Sequence, residues 1–207
     1  MPLRRPLLVL VALASLTSGC RYLRRTAEPS PADSAAAAAQ PAAPAAEVAP
    51  ARPTGPLRDA NIAAMLLASN NTDISYARLA PTRAQRDDVK QFAQRMLTDH
   101  AGINALVNEL LNKLDVAAED NIASLDMREE SASKRDIMRE LSGFAFDSVY
   151  ISNEVSYHQK FLASIDHVMI PNVRNADLRA LLTSLRPAVA AHLAHAEQIW
   201  ANVMAKK

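Results

Sequence analysis

Apolar residues recur at alternating steps of three and four along four stretches of this chain. Residues spaced in this way share one face of an α-helix, so each stretch predicts a helix with a narrow buried face. The buried face of the first predicted helix consists of Ile62, Leu66, Ser69, Asp73, Tyr76 and Ala80. That of the second consists of Val89, Ala93, Met96, His100, Ile103, Val107, Leu110 and Leu114.

The same spacing continues in the C-terminal half of the chain. The buried face of the third predicted helix consists of Ile137, Leu141, Phe144, Ser148, Ile151, Val155, His158, Leu162 and Ile165. That of the fourth consists of Leu178, Leu181, Leu185, Ala188, His192, His195 and Ile199. Helices with apolar faces of this kind bury them against one another, so the pattern predicts an all-α fold built as a four-helix bundle.

Capping and turn residues predict where the outer helices begin. The first helix is expected to begin near Arg58, and the fourth near Asn175, after a turn marked by Pro171 and Asn172. The segment from residue 115 to residue 133 is polar. It fits either a loop with a short extra helix between the second and third helices or a crossover along the bundle.

Two positions compete for the break between the first and second helices. Pro81 and the possible capping box that follows it favour an early break, whereas the polar residues from Arg86 favour a later one. With the later break, Asp73 and His100 lie equally far from the turn and therefore at the same level of the bundle. With the early break, they lie roughly 15 Å apart along the axis, because each residue advances a helix by about 1.5 Å.

The N-terminus has the pattern of an exported bacterial lipoprotein. Arg4 and Arg5 precede an apolar run over residues 7–16, which has the length of a signal-peptide core and is short for a membrane span. Small residues then lead to Cys20, whose thiol is the predicted site of lipid attachment. Residues 1–19 are therefore predicted to be a signal peptide. A plain secretory signal and an uncleaved N-terminal anchor are the alternatives.

The predicted lipid on Cys20 anchors the mature chain in a membrane. Arg21 follows the cysteine in place of the aspartate associated with inner-membrane retention, so we expect the outer membrane, with the protein facing the periplasm. Residues 20–56 then form the lipidated cysteine and a disordered tether, because they are rich in alanine and proline and have little to bury. The bundle domain is expected over residues 57–207.

Composition excludes several classes of function. The single cysteine rules out an internal disulfide and the zinc sites that need paired cysteines. Removal of residues 1–19 takes away two arginines and no acidic residue, which changes the net charge from +1 to −1, and no basic stripe predicts nucleic-acid binding. Phosphate-binding glycine loops and nucleophile motifs are absent from the sequence, which favours a non-catalytic or weakly catalytic role.

Ionisable residues interrupt the predicted apolar faces of all four helices. Buried histidines and carboxylates must be paired, hydrogen-bonded or bound to metal, and their nitrogen and oxygen atoms suit iron, zinc or copper. The candidate ligands are Asp73, His100, Glu154, His158, His192 and His195. The alternative is a metal-free, non-catalytic structural or interaction module, in which the same groups form a hydrogen-bond network and a helix face binds another envelope protein. The oligomeric state is not predicted.

Three stretches of the chain resemble a known family. They are the sequence FAQRMLTDH ending at His100, the sequence FDSVY ending at Tyr150 and followed by His158, and Pro187 together with His192. Over roughly residues 58–203 they are similar to the bacterial envelope family called domain of unknown function 4142. The resemblance implies a ferritin-like four-helix bundle in the cell envelope, but it implies no established activity.

Overall fold

The computed structural model describes residues 55–205, and the predicted signal peptide, Cys20 and nearly all of the predicted tether lie outside the described residues. Residues 55–205 form helices and connections, without a strand. The helices are α1 (Asp59–Ala77), α2 (Ala80–Arg83), α3 (Asp87–Leu114), α4 (Ile122–Arg139), α5 (Gly143–Ser164), α6 (Ile170–Asn172) and α7 (Ala176–Ala205). A π-helical turn, Ile165–Met169, joins α5 to α6. The predicted all-α bundle is confirmed.

Four long helices form the bundle, and a fifth helix covers one of them. Helix α1 packs against α3, α5 packs against α7, and α3 also contacts α7. Helix α4 lies along α1, so 14 of the 19 residues of α1 are buried. The polar segment between the second and third bundle helices is therefore mostly helical. Within residues 55–205, no helix has the length and apolarity needed to cross a bilayer.

A capping box starts α4. The Asn121 side chain accepts a hydrogen bond of 2.8 Å from the backbone N–H of Ser124, and the Ser124 hydroxyl accepts one of 3.0 Å from the backbone N–H of Asn121. These reciprocal bonds satisfy backbone donors that have no partner inside the helix. The polar sequence of this segment thus contains its own helix-start signal.

Two aspartates join the ends of the bundle helices. Asp147 on α5 accepts backbone hydrogen bonds from Gln85, at 3.2 Å, and Arg86, at 3.1 Å, immediately before α3. Asp59 on α1 accepts two more from Arg174 and Asn175, at 2.8 and 2.9 Å, immediately before α7. Each carboxylate therefore satisfies backbone donors at the start of another helix.

The predicted helix starts agree with the structure, but one predicted turn does not. Helix α1 begins at Asp59, and α7 begins directly after Asn175, whose side chain caps it by accepting a bond from the Leu178 N–H. The turn predicted at Pro171 is wrong, because Pro171 lies inside α6. Because α6 continues directly from the π-helical turn, the chain leaves the helix only after Asn172, at residues 173–175.

The break between the first two bundle helices lies where the later prediction put it. Helix α3 begins at Asp87, and Pro81 lies in the single turn of α2 within the connection. The third bundle helix, however, does not begin at Ile137. Residues around Ile137 belong to α4, its side chain is 58% exposed, and α5 begins only at Gly143, where the backbone has a positive φ.

The predicted buried faces of the last two bundle helices are wrong at alternate positions. Leu178, Leu185, His192 and Ile199 are buried on α7 as predicted. Between them the buried residues are Leu182, Val189 and Ala196, each one position after the residue predicted. On α5 the shift is in the opposite direction. Asp147, Glu154 and Phe161 are buried, each one position before the residue predicted.

The core consists of two apolar clusters with a polar layer between them. One cluster contains Met96 on α3 and Ala196 on α7, and the other contains Ile103 and Val189 on the same two helices. His100 and His192 lie between these apolar residues along the chain. Because α1 and α5 are arranged in the same way, all four bundle helices contribute polar side chains to one level of the interior.

Candidate metal centre

Five of the six predicted site residues come together in this polar layer. Four of them are completely buried, and His192 is 4% exposed. They arrive from all four bundle helices: Asp73 from α1, His100 from α3, Glu154 and His158 from α5, and His192 from α7. We call these five side chains the central cluster.

The three imidazole rings of the central cluster form a nearly equilateral triangle. Their ring centroids are separated by 5.8 Å between His100 and His158, 5.4 Å between His100 and His192, and 5.6 Å between His158 and His192. One ring nitrogen from each histidine lies within 4.8 Å of one from each of the others. Small side-chain movements can therefore bring all three nitrogens onto one ion.

Two carboxylates complete the cluster. Asp73 Oδ2 lies 3.2 Å from His100 Nε2 and 3.8 Å from His158 Nε2. Glu154 Oε2 lies 3.4 Å from His158 Nδ1, one helical turn along α5. Asp73, Glu154 and His158 each offer one atom within 4.8 Å of the other two, so carboxylate and imidazole donors share the same small volume.

Each histidine has one ring nitrogen engaged with an acceptor that faces away from the triangle. His158 Nδ1 lies 3.0 Å from the backbone oxygen of Glu154, and His192 Nε2 lies 2.9 Å from Asp99 Oδ2. A carbonyl and a carboxylate only accept, so these two nitrogens carry the protons. His100 Nδ1 lies 2.8 Å from the side-chain oxygen of Asn70 and likewise donates to it.

The remaining ring nitrogens are buried and have no hydrogen-bond partner within residues 55–205. They are His100 Nε2, His158 Nε2 and His192 Nδ1. Both carboxylate oxygens of Asp73 are buried as well. In neutral imidazoles with the other nitrogen protonated, these nitrogens are acceptors, so acceptor atoms face one another across the cluster.

Comparison with known proteins gives one match, to a protein family. A model of the family described as Domain of unknown function (DUF4142) matches residues 34–199, which is most of the chain. The chain belongs to this family. No curated protein and no solved structure matches it. Because the family description names no activity, the chemistry of this DUF4142 domain has to be argued from its side chains.

Burial shifts the ionisation of the cluster in this DUF4142 domain. Burial lowers the pKa values of His100 and His192, which favours neutral imidazoles. Burial and the neighbouring Asp73 raise the pKa of Glu154 well above its ordinary value. Burial alone would also raise the pKa of Asp73, but the charge that His100 and His158 carry when protonated, together with a hydrogen bond from Glu154, outweighs burial and lowers that pKa.

The sixth predicted ligand, His195, lies outside the central cluster. Its ring packs edge-on against Phe92, with the ring centroids 5.4 Å apart, and it is only partly buried. The cause is the register of α7, in which Ala196 rather than its predecessor faces the core. His195 follows His192 by three positions, but only His192 reaches the centre.

Two residues that touch the cluster were not predicted from the sequence. Asn70 is completely buried next to His100, and Asp99 bonds His192 while also lying 3.4 Å from Arg95 Nε. Neither belongs to a predicted buried face. The available signal was their position, since Asn70 precedes Asp73 by three residues and Asp99 precedes His100 by one.

A separate cavity lies beside the cluster. It has a volume of about 130 Å³ between α1, α4 and α5, and its lining includes Thr72 and Tyr157, the chain neighbours of Asp73 and His158. None of the five cluster residues lines this cavity. The donor atoms of the central cluster therefore do not lie on the wall of this cavity.

Proposed function

We propose that this protein is a membrane-anchored envelope protein whose bundle binds one transition-metal ion in the central cluster. The observation that carries the proposal is the convergence of three unpartnered ring nitrogens and the Asp73 carboxylate in the buried interior. The proposed ligands are His100 Nε2, His158 Nε2, His192 Nδ1 and a carboxylate oxygen of Asp73. Glu154 supplies a fifth donor.

A cation explains the facing acceptor atoms better than a hydrogen-bond network does. The 3.2 Å separation of Asp73 Oδ2 and His100 Nε2 is attractive only when a proton or another positive charge lies between the two atoms. Burial disfavours the protonated form of His100, because it is costly to keep a charged imidazole away from water. A metal ion satisfies the nitrogens and the carboxylate at the same time.

Charge balance also favours a divalent ion. In the metal-bound site, where the ion displaces the proton of Glu154, Asp73 and Glu154 together place two negative charges in the buried interior. An uncompensated buried charge costs roughly several kcal/mol per ion, even after the surrounding protein has relaxed around it. A divalent cation surrounded by neutral imidazoles leaves the site with no net charge.

The donor set selects the class of metal. Imidazole nitrogens combined with carboxylate oxygens suit zinc, iron and copper. Calcium and magnesium take oxygen ligands, so three imidazole nitrogens make this site a poor one for them. Paired-iron bundles use four glutamates and two histidines, with a Glu-x-x-His motif on two helices. This cluster has three histidines and two carboxylates without that motif, so we propose a single ion.

The enclosed position of the cluster favours holding an ion over processing a substrate. All five side chains are buried, and the neighbouring cavity does not reach them. Catalytic metal sites keep a coordination position open to substrate. We therefore propose a role in metal handling or stress resistance in the envelope, without catalysis.

The membrane anchor rests on the N-terminal sequence. The basic start, the apolar run over residues 7–16 and the small residues before Cys20 support export and lipid attachment. The acyl chains of a lipoprotein each contribute roughly 0.8 kcal/mol per buried methylene, which makes such an anchor effectively permanent. Arg21 supports the outer membrane as the destination, with the bundle in the periplasm.

Metal analysis of the full-length protein in detergent tests the proposal. We expect one equivalent of zinc, iron or copper after loading, and its loss in His100→Ala. The matched control is His167→Ala, because His167 is exposed and lies outside the cluster. A protein that retains no metal after loading, and that melts at the same temperature with and without a chelator, overturns the proposal in favour of a metal-free network.

A further inference from the structure

Two side chains outside the central cluster determine which nitrogen of a histidine faces its centre. His100 and His192 use opposite ring atoms, because the unpartnered nitrogen is Nε2 in His100 and Nδ1 in His192. The difference follows from the residue that holds the other nitrogen. Asn70 binds His100 at Nδ1, whereas Asp99 binds His192 at Nε2.

We infer that Asn70 and Asp99 are positioning residues of the metal site, which hold His100 and His192 in the tautomers and ring orientations that present a free nitrogen to the ion. This inference rests on the proposed function. Neither residue contacts the ion itself. Their effect is exerted through the imidazole rings, since a histidine whose second nitrogen donates to a fixed acceptor is both oriented and made more basic.

The two positioning residues connect different pairs of helices. Asn70 lies on α1 and holds a ring from α3, whereas Asp99 lies on α3 and holds a ring from α7. Asp99 and His100 are adjacent in the chain, so one short stretch of α3 provides a ligand and the partner of another ligand. His158 is oriented from within its own helix by the backbone oxygen of Glu154.

Asn70 and Asp99 differ in burial and in their other contacts, so mutations can test their two effects separately. Asn70 is completely buried, and its side-chain nitrogen has no hydrogen-bond partner within residues 55–205. The side chain of Asp99 is 39% exposed and also pairs with Arg95. An Asp99 variant therefore leaves the packing of the core intact even if an Asn70 variant does not.

Zinc affinity of the full-length protein, measured by competition with a chelator, tests the inference. We expect Asn70→Ala and Asp99→Ala each to weaken zinc binding by about 10- to 100-fold, the usual effect of removing a ligand's hydrogen-bond partner. Asn70→Asp and Asp99→Asn retain an acceptor oxygen and are expected to retain most of the affinity. If Asn70→Ala does not fold, the Asp99 pair carries the test.

Matched controls remove neighbouring contacts that do not touch the rings. Asn71→Ala deletes an amide pair with Asn104, which joins the same two helices as the bond between Asn70 and His100. Arg95→Ala removes the other partner of Asp99 and leaves its carboxylate in place. We expect both controls to bind zinc as the wild type does.

Nitrogen-15 NMR of the metal-free protein gives a second measurement, which a purely structural role would not change. We expect the wild type to carry its proton on Nδ1 of His100 and on Nε2 of His192, with loss of the fixed tautomer in the alanine variants. Wild-type zinc affinity in both alanine variants overturns this inference and leaves the proposed function standing. A wild type that retains none of zinc, iron and copper after loading overturns both.

Discussion

Asp73 Oδ2 lies 3.2 Å from His100 Nε2, in a part of the bundle where neither side chain is exposed to solvent. The contact joins α1 to α3, at the level where α5 and α7 also place polar side chains between two apolar clusters. Burying so many ionisable groups together opposes folding unless their charges are compensated. The buried ionisable groups thus oppose folding of the metal-free chain, and the same groups provide ligands for a cation.

The two histidines of α7 are expected to differ in function. We predict that His192→Ala lowers zinc affinity by at least about 10- to 100-fold, because a ligand matters no less than its supporting groups. His195→Ala should leave zinc affinity unchanged and lower the free energy of unfolding by about 0.5–1.5 kcal/mol, through loss of the ring contact with Phe92. Chelator competition and chemical denaturation measure the two effects, and equal losses of affinity would contradict the assignment.

Glu154 is expected to destabilise the metal-free protein at neutral pH. In the unfolded chain, Glu154 releases its proton above the ordinary pKa of 4.5. In the folded chain the pKa of Glu154 is raised, so the proton is held at pH values where the unfolded chain has lost it. The contribution of Glu154 to stability is therefore complete below pH 4.5 and is lost as pH rises through the folded-state pKa. Glu154→Gln mimics the protonated form, so we predict a gain of about 1–2 kcal/mol at pH 7.

Denaturation with a chelator present, repeated across pH, measures this gain. The variant should also lose stability less steeply than the wild type as pH rises, and it should bind zinc more weakly, since a donor has been lost. Glu109→Gln on the exposed surface of α3 is the control. A Glu154→Gln protein that is less stable than the wild type without metal would show that the glutamate is ionised and paired.

Asp147 is expected to stabilise the fold without affecting the metal. Its carboxylate accepts backbone hydrogen bonds from Gln85 and Arg86, and the residue is completely buried. We predict that Asp147→Ala lowers the free energy of unfolding by about 1–3 kcal/mol, the cost of unpaired buried donors. Asp87→Ala, at the exposed start of α3, should cost no more than about 1 kcal/mol. Equal losses in both variants would refute the capping role.

Cys20 is expected to carry the lipid that anchors the protein. We predict that Cys20→Ala abolishes incorporation of a labelled fatty acid and shifts the protein from the membrane fraction to the soluble fraction. Ser18→Ala keeps a small residue before the cysteine and should be lipidated normally. Membrane residence of the Cys20→Ala protein, together with retained label, would rule out attachment at this thiol.

The sequence predicts α1 and α3 better than α5 and α7 for a physical reason. On α3 the apolar positions at Val89, Met96 and Ile103 offer one consistent face, and all are buried. On α7 apolar residues come in adjacent pairs such as Leu181 and Leu182, so steps of three and four can be taken in either order. Packing against the neighbouring helices determines which of the two faces is buried. The face that is buried does not include His195.

The polar partners of the site could not be predicted from the pattern of one helix. Asn70 and Asp99 flank the predicted faces, where a polar side chain ordinarily meets water. Their roles depend on which helix packs beside them, because the bond from Asp99 reaches His192 on another helix. Asp73 and the three core histidines were predictable for the opposite reason, since a histidine or an aspartate on an apolar face is exceptional by itself. Glu154 was predictable because it precedes His158 by one helical turn.

Anomalous diffraction from zinc-soaked crystals would locate the bound ion. We predict one zinc peak inside the triangle of imidazoles, roughly 2.0–2.1 Å from His100 Nε2, His158 Nε2 and His192 Nδ1, with Asp73 as a further ligand. A map with no peak between the three rings, in crystals that bind zinc elsewhere on the protein, would contradict this prediction.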